Sequence, residues 1–490
     1  MSDIVDERLL AILRDLISAA DETEIVEFKE NQNSADMIGK LISALSNSAA
    51  LQGKPFAHVV WGVRDSDRVV VGTKFSPENE TKGNQGLSMW LSTMLDPAPD
   101  YQFETLQMDR QRLVVLKVPA AALAPVEFQR SAYVRVGSAT PPLSSQRQMQ
   151  RALWAKLQTF AWETAVAADF VASREVVELL DYRGYLERTG QAEASSTEDA
   201  LSRMIADQLI VKVATDRYDI LNLGAILFAH SLSDFGPSLQ RKGLRFARYD
   251  GLGRDDPMSL SIDGNKGYAE ALTAFTPYLI DILPVVEKYI GAVRKETKLL
   301  PDLAIRELLA NALIHQDMTA TGTGPQVELF SNRLEISNPG EALVPPNRFL
   351  DAPPRSRNEQ LARMMRRMSL CEERGTGVDK VISEVERHQL PPPEFRQKPD
   401  AVRTVLHAPR AFLDMSQEER LRACYQHAGL LFVKGERMAN ATLRLRFGLE
   451  DTQSSRSQMS KLIRAAQDEG YIKPYDAASP RSGYIPVWEE

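Results

Sequence analysis

Arg306-Glu-Leu-Leu-Ala-Asn311, continued by Ala312-Leu-Ile-His315, is the stretch that decides the fold of the second half of the chain. Glu307 and Asn311 are four residues apart, so a helix of ~3.6 residues per turn places them on one face, about one turn from each other. The leucines and alanines between them can line an opposite, buried face. The stretch therefore predicts a helix that presents a carboxylate and an amide together.

Two glycine-containing segments follow this helix: Ile336-Ser-Asn-Pro-Gly340 and Glu373-Arg-Gly-Thr-Gly377. Glycines allow backbone N–H groups to approach a phosphate closely. An amide oxygen can hold a hydrated magnesium ion, and a glutamate can orient water. The helix and the two segments together predict a nucleotide pocket.

Residues from about 300 to 385 resemble a GHKL-type ATP-binding module, in the divergent branch found in bacterial RecG-like proteins. The resemblance implies that Glu307 is a water-orienting base and that Asn311 is a magnesium ligand. It also implies ATP and Mg²⁺ as cofactors. The remaining nucleotide-contacting positions that it implies are Asn338, Gly340, Gly375, Thr376 and Gly377.

The chain departs from the GHKL pattern at Asn338-Pro-Gly340, which stands where the family carries Asp-x-Gly-x-Gly. Asn338 takes the place of the adenine-contacting aspartate, and the second glycine is missing. An asparagine can accept a hydrogen bond from an adenine amino group, but it carries no charge. Nucleotide binding is therefore expected more strongly than hydrolysis, and a vestigial pocket in a scaffold protein is the alternative.

The composition indicates a soluble protein of several domains. A chain of 490 residues is too long for one hydrophobic core. Two cysteines and six histidines provide neither a disulfide framework nor a zinc-ligand spacing. The net charge of −7 argues against a wholly basic nucleic-acid-binding surface, so such binding must come from local patches.

No membrane association is expected from the sequence. The longest apolar run, Ile220 to Ala229, is about half of a membrane span and is interrupted by Asn222 and Gly224. The acidic start, Met-Ser-Asp-Ile-Val-Asp-Glu, lacks a secretion signal. A cytoplasmic location is the prediction.

The N-terminal region begins with a predicted amphipathic helix from Ile4 to Ile17 and a strand at Val26-Glu-Phe-Lys29. Alternation places Ile25, Glu27 and Lys29 on one face of that strand. A helix over 34–50 follows. Further strands are predicted at 57–63, 68–73, 113–118 and 132–136.

Val26-Glu-Phe-Lys29, then Trp61-Gly-Val-Arg-Asp65, then Tyr133-Val-Arg-Val-Gly-Ser138 resemble the Alba-like Schlafen domain over the first 145 residues. The resemblance implies nucleic-acid binding. In nuclease members two glutamates and an aspartate hold a divalent metal, and by motif position these are Glu22, Glu27 and the acid after Gly-Val. Here Arg64 follows Val63 directly, and Asp65 comes one residue later.

Glu22, Glu27 and Asp65 are thus the candidate ligands for Mg²⁺ or Mn²⁺ and the candidate catalytic residues, together with Lys29, which can stabilise charge on a phosphate. The alternative is a solvated strand end with an ion pair. Arg135 alternates with apolar neighbours and faces either a nucleic-acid phosphate or an internal acid. Trp61 is expected in the core rather than as a base-stacking platform.

The middle of the chain is predicted to be a helical and β connector without a catalytic cluster. Helices are expected at 173–180 and 197–209, and strands at 216–220, 223–228 and 244–249. Beyond it, Arg363, Arg366 and Arg367 share part of one helical face. They contact phosphates of a nucleotide or nucleic acid, or they form a solvated face.

A strand over 401–407 is expected to complete the sheet of the nucleotide module. Beyond residue 412 the predicted order is three helices and a hairpin, with a capping box at Ser416-Gln-Glu-Glu419. This order is typical of a winged-helix domain, with Arg456, Gln458 and Lys461 at the exposed start of the recognition helix. The same fold also serves as a dimerisation module.

The predicted architecture is an α+β multidomain chain. Its parts are an Alba-like Schlafen domain over 1–148, a connector over 149–295, a GHKL-like ATP-binding α/β sandwich over 296–411 and a winged helix over 412–490. The predicted function is a nucleotide-responsive, DNA- or RNA-binding transcriptional regulator. The alternative is a Schlafen-type metal-dependent nuclease, with a role in defence, gated by nucleotide. The two resemblances also imply a homo-oligomer.

Overall fold

The computed structural model describes residues 24–158, 161–283, 285–290, 293–353, 355–371, 377–479 and 482–488, together with Leu10, Leu13, Arg14, Leu16 and Ile17. The described residues fold into two compact units with mixed α+β structure. Unit 1 contains those of 1–172 and 211–220, and unit 2 contains those of 173–210 and 221–490. The four-domain division drawn from the sequence stays a prediction. Of the predicted N-terminal helix, Ile4 and Leu9 lie outside the described residues.

The helices of unit 1 whose bounds are described are α1 (Ala35–Gln52), α2 (Leu87–Met94) and α3 (Arg147–Gln158), and the described residues of 10–17 are also helical. Its strands, of which β11 and β12 each extend one residue into unit 2, are β1 (Val26–Lys29), β2 (Phe56–Trp61), β3 (Thr81–Lys82), β4 (Gln85–Gly86), β5 (Leu95–Asp96), β6 (Gln102–Met108), β7 (Gln111–Pro119), β8 (Glu127–Phe128), β9 (Ser131–Ala132), β10 (Val166–Ala172), β11 (Ile210–Ala214) and β12 (Arg217–Leu221).

The centre of unit 1 is a four-stranded sheet in the order β1-β2-β7-β6. β1 and β2 run parallel because α1 connects them, and the remaining pairs are antiparallel. Alternate residues of β2 and β7 pack into two separate hydrophobic clusters, as the period of a strand requires. The Ser34 side chain caps the start of α1, and Gly53 ends it in the left-handed conformation.

Two predicted strands of unit 1 are much shorter than expected. Within 68–73 only Val70 forms a bridge, with Val63, and Arg68 has a positive φ of 59° that interrupts extended backbone. Within 132–136 only Ala132 belongs to a strand, and Tyr133 and Val136 form isolated bridges. In the second segment, the backbone N–H groups of Tyr133 and Arg135 donate to side chains of helix α1 rather than to a neighbouring strand. Residue periodicity alone does not reveal that difference.

Unit 2 contains most of the helices described: α4 (Ser173–Leu179), α5 (Tyr182–Arg188), α6 (Thr197–Ala206), α7 (Asn222–Phe228), α8 (Pro237–Gln240), α9 (Tyr268–Ile282), α10 (Asp302–Ile314), α11 (Glu359–Arg367), α12 (Gly377–Arg387), α13 (Gln417–Val433), α14 (Asn440–Arg446) and α15 (Gln453–Asp468). Its strands are β13 (Arg245–Tyr249), β14 (Met258–Asp263), β15 (Val285–Ile290), β16 (Val293–Lys298), β17 (Gln326–Phe330), β18 (Arg333–Pro339), β19 (Glu394–Lys398), β20 (Ala401–His407), β21 (Ile472–Pro474) and β22 (Tyr484–Pro486).

The main sheet of unit 2 has six strands in the order β14-β13-β17-β18-β20-β19. The predicted strand over 401–407 is confirmed as β20, which lies inside this sheet. Register pairs Ile336 with Thr404 and Asn338 with Val402, so these four side chains share one face. The opposite face carries Glu335, which forms ion pairs with Arg333 and Arg403.

The predicted strand over 223–228 is wrong, because these residues belong to helix α7. Every residue of α7 is buried. A short apolar run that is buried on all sides has no amphipathic period, so its sequence does not separate a helix from a strand. By contrast, the predictions of a helix near 173–180 and of strands near 216–220 and 244–249 are confirmed.

Residues beyond 412 form three helices, α13 to α15, followed by the hairpin of β21 and β22. The capping box is confirmed: the Ser416 side chain accepts from the Glu419 backbone, and the Glu419 side chain accepts from the Ser416 backbone. A cluster of buried side chains from α13, α14 and α15 forms the core of this segment. No helix among the described residues is long and apolar enough to cross a membrane.

Candidate functional site

A cavity of about 720 Å³ opens in unit 2 between α10, α11 and the face of the sheet that carries Ile336 and Thr404. Asn311 lines it from α10, and Gly377 lines it from the first turn of α12. The walls combine apolar side chains with amides and guanidinium groups. A cavity of this size and composition suits a small ligand such as a nucleotide.

Asn311 and Gly377 lie side by side at one end of the cavity. A β-carbon built on Gly377 would be 3.7 Å from Asn311 Nδ2 and 3.3 Å from Glu307 Oε2. The Asn311 side chain makes no hydrogen bond within the described part of the chain, so its amide is available to a ligand. The helix that carries Asn311 therefore lies next to the Gly377 segment.

Glu307 has a different setting from Asn311. It is 2 % exposed, it does not line the cavity, and its Oε1 is 3.3 Å from an Arg306 guanidinium nitrogen. A carboxylate that orients an attacking water must reach that water. The role of Glu307 as a base stays a prediction, and the arrangement favours binding over hydrolysis.

Asn338 lies on β18, and Gly340 directly follows the end of this strand. Asn338 is buried and lines the wall, whereas Gly340 does not. Gly340 has a positive φ of 99°, and a β-carbon there would come within 2.7 Å of Asp317 Cβ. Only glycine fits this close approach without strain, so Gly340 shapes the turn rather than contacting a ligand directly.

Four arginines also line the cavity; they are called the arginine set: Arg355, Arg357, Arg363 and Arg366. Within the described part of the chain none of their side chains makes a hydrogen bond or an ion pair. Arg367, predicted with Arg363 and Arg366 on one face, instead forms an ion pair with Asp207 at 2.6 Å and does not line the cavity. Arg363 and Arg366 therefore line the cavity, whereas Arg367 lies in an ion pair outside it.

Two members of the arginine set affect the pKa of other residues that line the cavity. Burial raises the pKa of the Cys371 thiol to about 11; Arg366 opposes that shift and Glu307 adds to it. Loss of hydration lowers the pKa of His315, and Arg357 lowers it further. Arg366 thus lies near Glu307 and Arg357 near His315, while both arginines face the same cavity.

Gly375 and Thr376 lie outside the described residues. Of the predicted glycine-rich segment, Gly377 alone is described. It begins α12 beside Asn311, where an N-terminal helical N–H group favours an anion.

Glu27, one of the predicted metal ligands of unit 1, is buried and paired with cationic side chains. Glu27 is 5 % exposed, and its Oε1 is 2.5 Å from Lys29 Nζ. Its other oxygen forms an ion pair with Arg135, which is 1 % exposed and donates a further hydrogen bond to Thr140 Oγ1 at 3.1 Å. Arg135 therefore contacts an internal acid, and its nucleic-acid role stays a prediction.

The other predicted metal ligands do not join Glu27 in the described residues. Asp65 is exposed in the turn after β2, and Glu22 lies outside the described part. No group of three or more His, Cys, Asp or Glu side chains suited to a metal ion occurs among the described residues. The metal-ligand roles of Glu22, Glu27 and Asp65 remain predictions. Trp61 is fully buried and donates to the Gln32 carbonyl at 2.8 Å, so its predicted place in the core is confirmed.

The predicted nucleic-acid residues of α15 differ in availability. Arg456 and Lys461 are exposed, and Gln458 is partly buried. Arg456 is held by Asp451 at 2.5 Å, and this hydrogen bond also lowers the pKa of Asp451. A phosphate would therefore compete with Asp451 for the Arg456 guanidinium.

Among the cavity residues that the sequence interpretation did not assign to the site are Thr404, Arg355 and Arg357. The period of two residues in β20 could have found Thr404, because the strand was predicted and Val402 and Thr404 share a face. Arg355 and Arg357 lie in an irregular segment between prolines. Neither periodicity nor spacing indicates where such side chains point.

Comparison with family models matches two separate segments of the chain. Residues 22–144 match the model "Schlafen, AlbA_2". Residues 322–406 match "Putative ATP-dependent DNA helicase recG C-terminal". No curated protein matches the chain.

Comparison with solved structures finds similar chains at low identity. The crystal structure of the DIP2311 protein from Corynebacterium diphtheriae is 17% identical, covering 98% of this chain and 97% of that one, with a TM-score of 0.42. The solution structure of the N-terminal domain of a "Putative ATP-dependent DNA Helicase RecG-related Protein" from Nitrosomonas europaea is 21% identical. It covers 26% of this chain and 88% of that one, with a TM-score of 0.19.

Proposed function

We propose that this chain, which joins a Schlafen AlbA_2 domain to a recG C-terminal HATPase domain, is a nucleotide-responsive nucleic-acid-binding protein that regulates transcription. The two domains are those of a nucleic-acid-related, ATP-binding protein. ATP would occupy the cavity of unit 2, and nucleic acid would bind the AlbA_2 domain and the C-terminal segment.

The single observation that carries the proposal is the meeting of Asn311, Asn338 and Gly377 at one cavity. These residues come from three separate segments, each identified by a different motif. An unpaired amide beside a helix N-terminus suits phosphates and their cation, and a buried amide on the sheet suits the base. Magnesium, if bound with ATP, would be held at Asn311, where it would neutralise phosphate charge.

The response to nucleotide is proposed to pass along α12. Its first residue, Gly377, adjoins Asn311, and near its end Glu386 Oε2 lies 2.9 Å from His427 Nδ1 on α13. Glu386 also lies 3.7 Å from the buried Arg446 of α14. A ligand that shifts the start of α12 would therefore act on the helices that follow residue 412.

The C-terminal segment is proposed to be a winged helix that binds DNA. Its three helices and hairpin follow the winged-helix order, and Lys461 of α15 is exposed. A dimerisation module remains the alternative for this segment. Both cysteines are free thiols, which is consistent with a cytoplasmic location. The predicted homo-oligomer is not tested by these observations.

A nucleotide-gated, metal-dependent nuclease is the second candidate, and the AlbA_2 match favours it. The closed setting of Glu27 counts against it, because both of its oxygens are already paired with cations. A metal at Glu27 would have to displace Lys29 or Arg135. We therefore rank nucleic-acid binding without cleavage first.

The test of the proposed function is nucleotide binding by the full chain and by Asn311→Ala. ATP with Mg²⁺ is expected to raise the melting temperature of the wild-type protein, because a ligand that binds only the folded state stabilises it. Asn311→Ala should abolish most of this increase. In the wild type, ATP should also slow hydrogen exchange in α13 and α14, and the variant should lose this protection.

Asp302→Asn, at the exposed start of α10, is the matched control and should respond to ATP like the wild type. An unchanged wild-type melting temperature at millimolar ATP would refute nucleotide binding. A normal thermal shift without any change of exchange beyond residue 412 would refute the response while retaining the binding.

A further inference from the structure

We infer that the arginine set recognises the phosphates of the ligand and selects nucleotides by the number of their phosphate groups. This inference rests on the proposed function and adds the ligand class of the same cavity: nucleoside triphosphates in preference to diphosphates, monophosphates and nucleosides. Arg363 and Arg366 are the members expected to contribute most.

The first observation is that the four arginines gathered at the cavity have unpaired side chains, whereas several other arginines of unit 2 pair with carboxylates. Arg254 pairs with Glu328 at 2.5 Å, and Arg333 and Arg403 both pair with Glu335. In contrast, the side chain of each member of the arginine set has no hydrogen bond or ion pair within the described part of the chain. Unpaired guanidinium groups gathered at one cavity are strong donors for an anion.

The second observation is the balance of charge on the cavity wall. Among the described residues of the wall, two carboxylates, Glu341 and Glu359, accompany the four members of the arginine set, so guanidinium groups outnumber carboxylates by two there. His315 adds no steady positive charge near neutral pH, because lost hydration and Arg357 lower its pKa. The cavity therefore attracts a polyanion.

The third observation is the placement of Arg363 and Arg366 on a rigid element. They are three residues apart on α11, so they lie on one side of the helix. Leu361, Met364 and Met365 of the same helix are buried and anchor it in the core. Arg366 also lies close enough to Cys371 to affect its pKa, as Glu307 does, which places it toward the Asn311 end of the cavity.

A nucleic-acid backbone is the competing ligand, because its phosphates have the same chemistry. A cavity of about 720 Å³ suits one nucleotide, whereas a duplex requires an extended groove or surface. The cavity wall also includes Asn338 and Thr404 on the sheet, which can contact a base beyond the phosphates. We therefore argue for a free nucleotide.

The experiment measures Kd by calorimetry for ATP, ADP, AMP, adenosine and inorganic tripolyphosphate, with and without Mg²⁺, on the full chain. The double variant Arg363→Gln/Arg366→Gln is compared with wild type. Arg367→Gln is the matched control, because Arg367 lies on the same helix but pairs with Asp207 outside the cavity. Arg363→Lys/Arg366→Lys tests for partial rescue, since lysine keeps the charge but not the two-pronged donor geometry.

We expect wild-type affinity to fall in the order ATP, ADP, AMP and adenosine. The double glutamine variant should lose about tenfold in ATP affinity for each arginine, and should bind adenosine like wild type. Equal adenosine binding also shows that the variant is folded. The lysine variant should be intermediate, and Arg367→Gln should match wild type.

The inference is overturned if the double glutamine variant keeps the wild-type preference for ATP over adenosine. It is also overturned if a single-stranded oligonucleotide competes with ATP in the wild type but not in this variant, since the arginines would then serve nucleic acid. Binding of tripolyphosphate without any preference for ATP over tripolyphosphate would support the arginine set but refute a nucleotide pocket. The two proposals therefore fail in distinguishable ways.

Discussion

Glu27 in unit 1 and Asn311 in unit 2 are both predicted ligand-binding residues, yet the structure places them in opposite situations. Glu27 is buried between Lys29 and Arg135, and both of its oxygens have cationic partners. Asn311 lines an open cavity without a hydrogen-bond partner in the described part of the chain. The same kind of sequence signal thus corresponds to a closed polar cluster in one unit and an open one in the other.

The difference shows what a ligand would have to do at each place. At Glu27 a metal must displace an internal ion pair and leave a buried guanidinium without its partner, which is unfavourable. At Asn311 a ligand supplies partners that the protein lacks. The comparison therefore ranks the unit 2 cavity above the unit 1 cluster as a binding site, and the following predictions test that ranking.

The largest expected effect is that of Glu27→Gln on unit 1. The substitution leaves the positive charge of Arg135 buried and uncompensated, so it should destabilise unit 1 by about 3–5 kcal/mol. Hydrogen exchange of peptides from β1, β2 and β7 measures this loss. Asp65→Asn, at an exposed position, is the control and should change stability by less than about 0.5 kcal/mol.

Stabilisation by a metal ion bound at Glu27 would reverse the ranking of the two sites. If Glu27 is a metal ligand, Mn²⁺ should stabilise the wild type, and Glu27→Gln should remove that stabilisation while changing the metal-free protein little.

A second, smaller effect concerns His58, which is buried in β2 and whose Nε2 has no hydrogen-bond partner among the described residues. Burial lowers the pKa of His58 to about 4, and the charge of Lys117 contributes to this decrease. The unfolded chain binds the proton more readily, so the stabilisation is present above pH 6.5 and is lost as the pH falls toward 4.

The loss should reach about 3 kcal/mol at most, since one pKa unit corresponds to about 1.4 kcal/mol. Hydrogen exchange in β2 and β7 between pH 7.5 and 5 measures it, and His58→Gln should reduce the dependence on pH. An unchanged slope in that variant would show that the interior of unit 1 is less closed than proposed.

The smallest expected effect concerns Cys371 in the unit 2 cavity. This thiol is partly buried and lines the cavity, and its raised pKa of about 11 makes it slow to alkylate at neutral pH. ATP at ten times its Kd should slow alkylation further by about tenfold, because the reaction then requires the free protein. Mass spectrometry of the labelled peptide measures the rate.

Buried Cys424 is the internal control and should remain unlabelled with or without ATP. Equal Cys371 labelling rates under both conditions would place the nucleotide elsewhere.

Much of the local structure could be predicted from sequence because it depends on near neighbours. The capping box at Ser416 and the strand over 401–407 follow from short-range patterns. The helix that carries Glu307 and Asn311 follows from spacing and composition. The segment over 223–228 was assigned wrongly, because complete burial removes the period on which such predictions depend.

The sequence by itself determined which residue types are near one another along the chain: the amide a turn after Glu307, the glycine that begins α12, and the alternation that brings Asn338 to one face of β18. Tertiary structure alone decided which of these groups are paired. Arg135 meets Glu27 and Arg367 meets Asp207, whereas Arg363 and Arg366 face a cavity. Pairing depends on distance in space between segments far apart in sequence, and packing of the whole unit sets that distance.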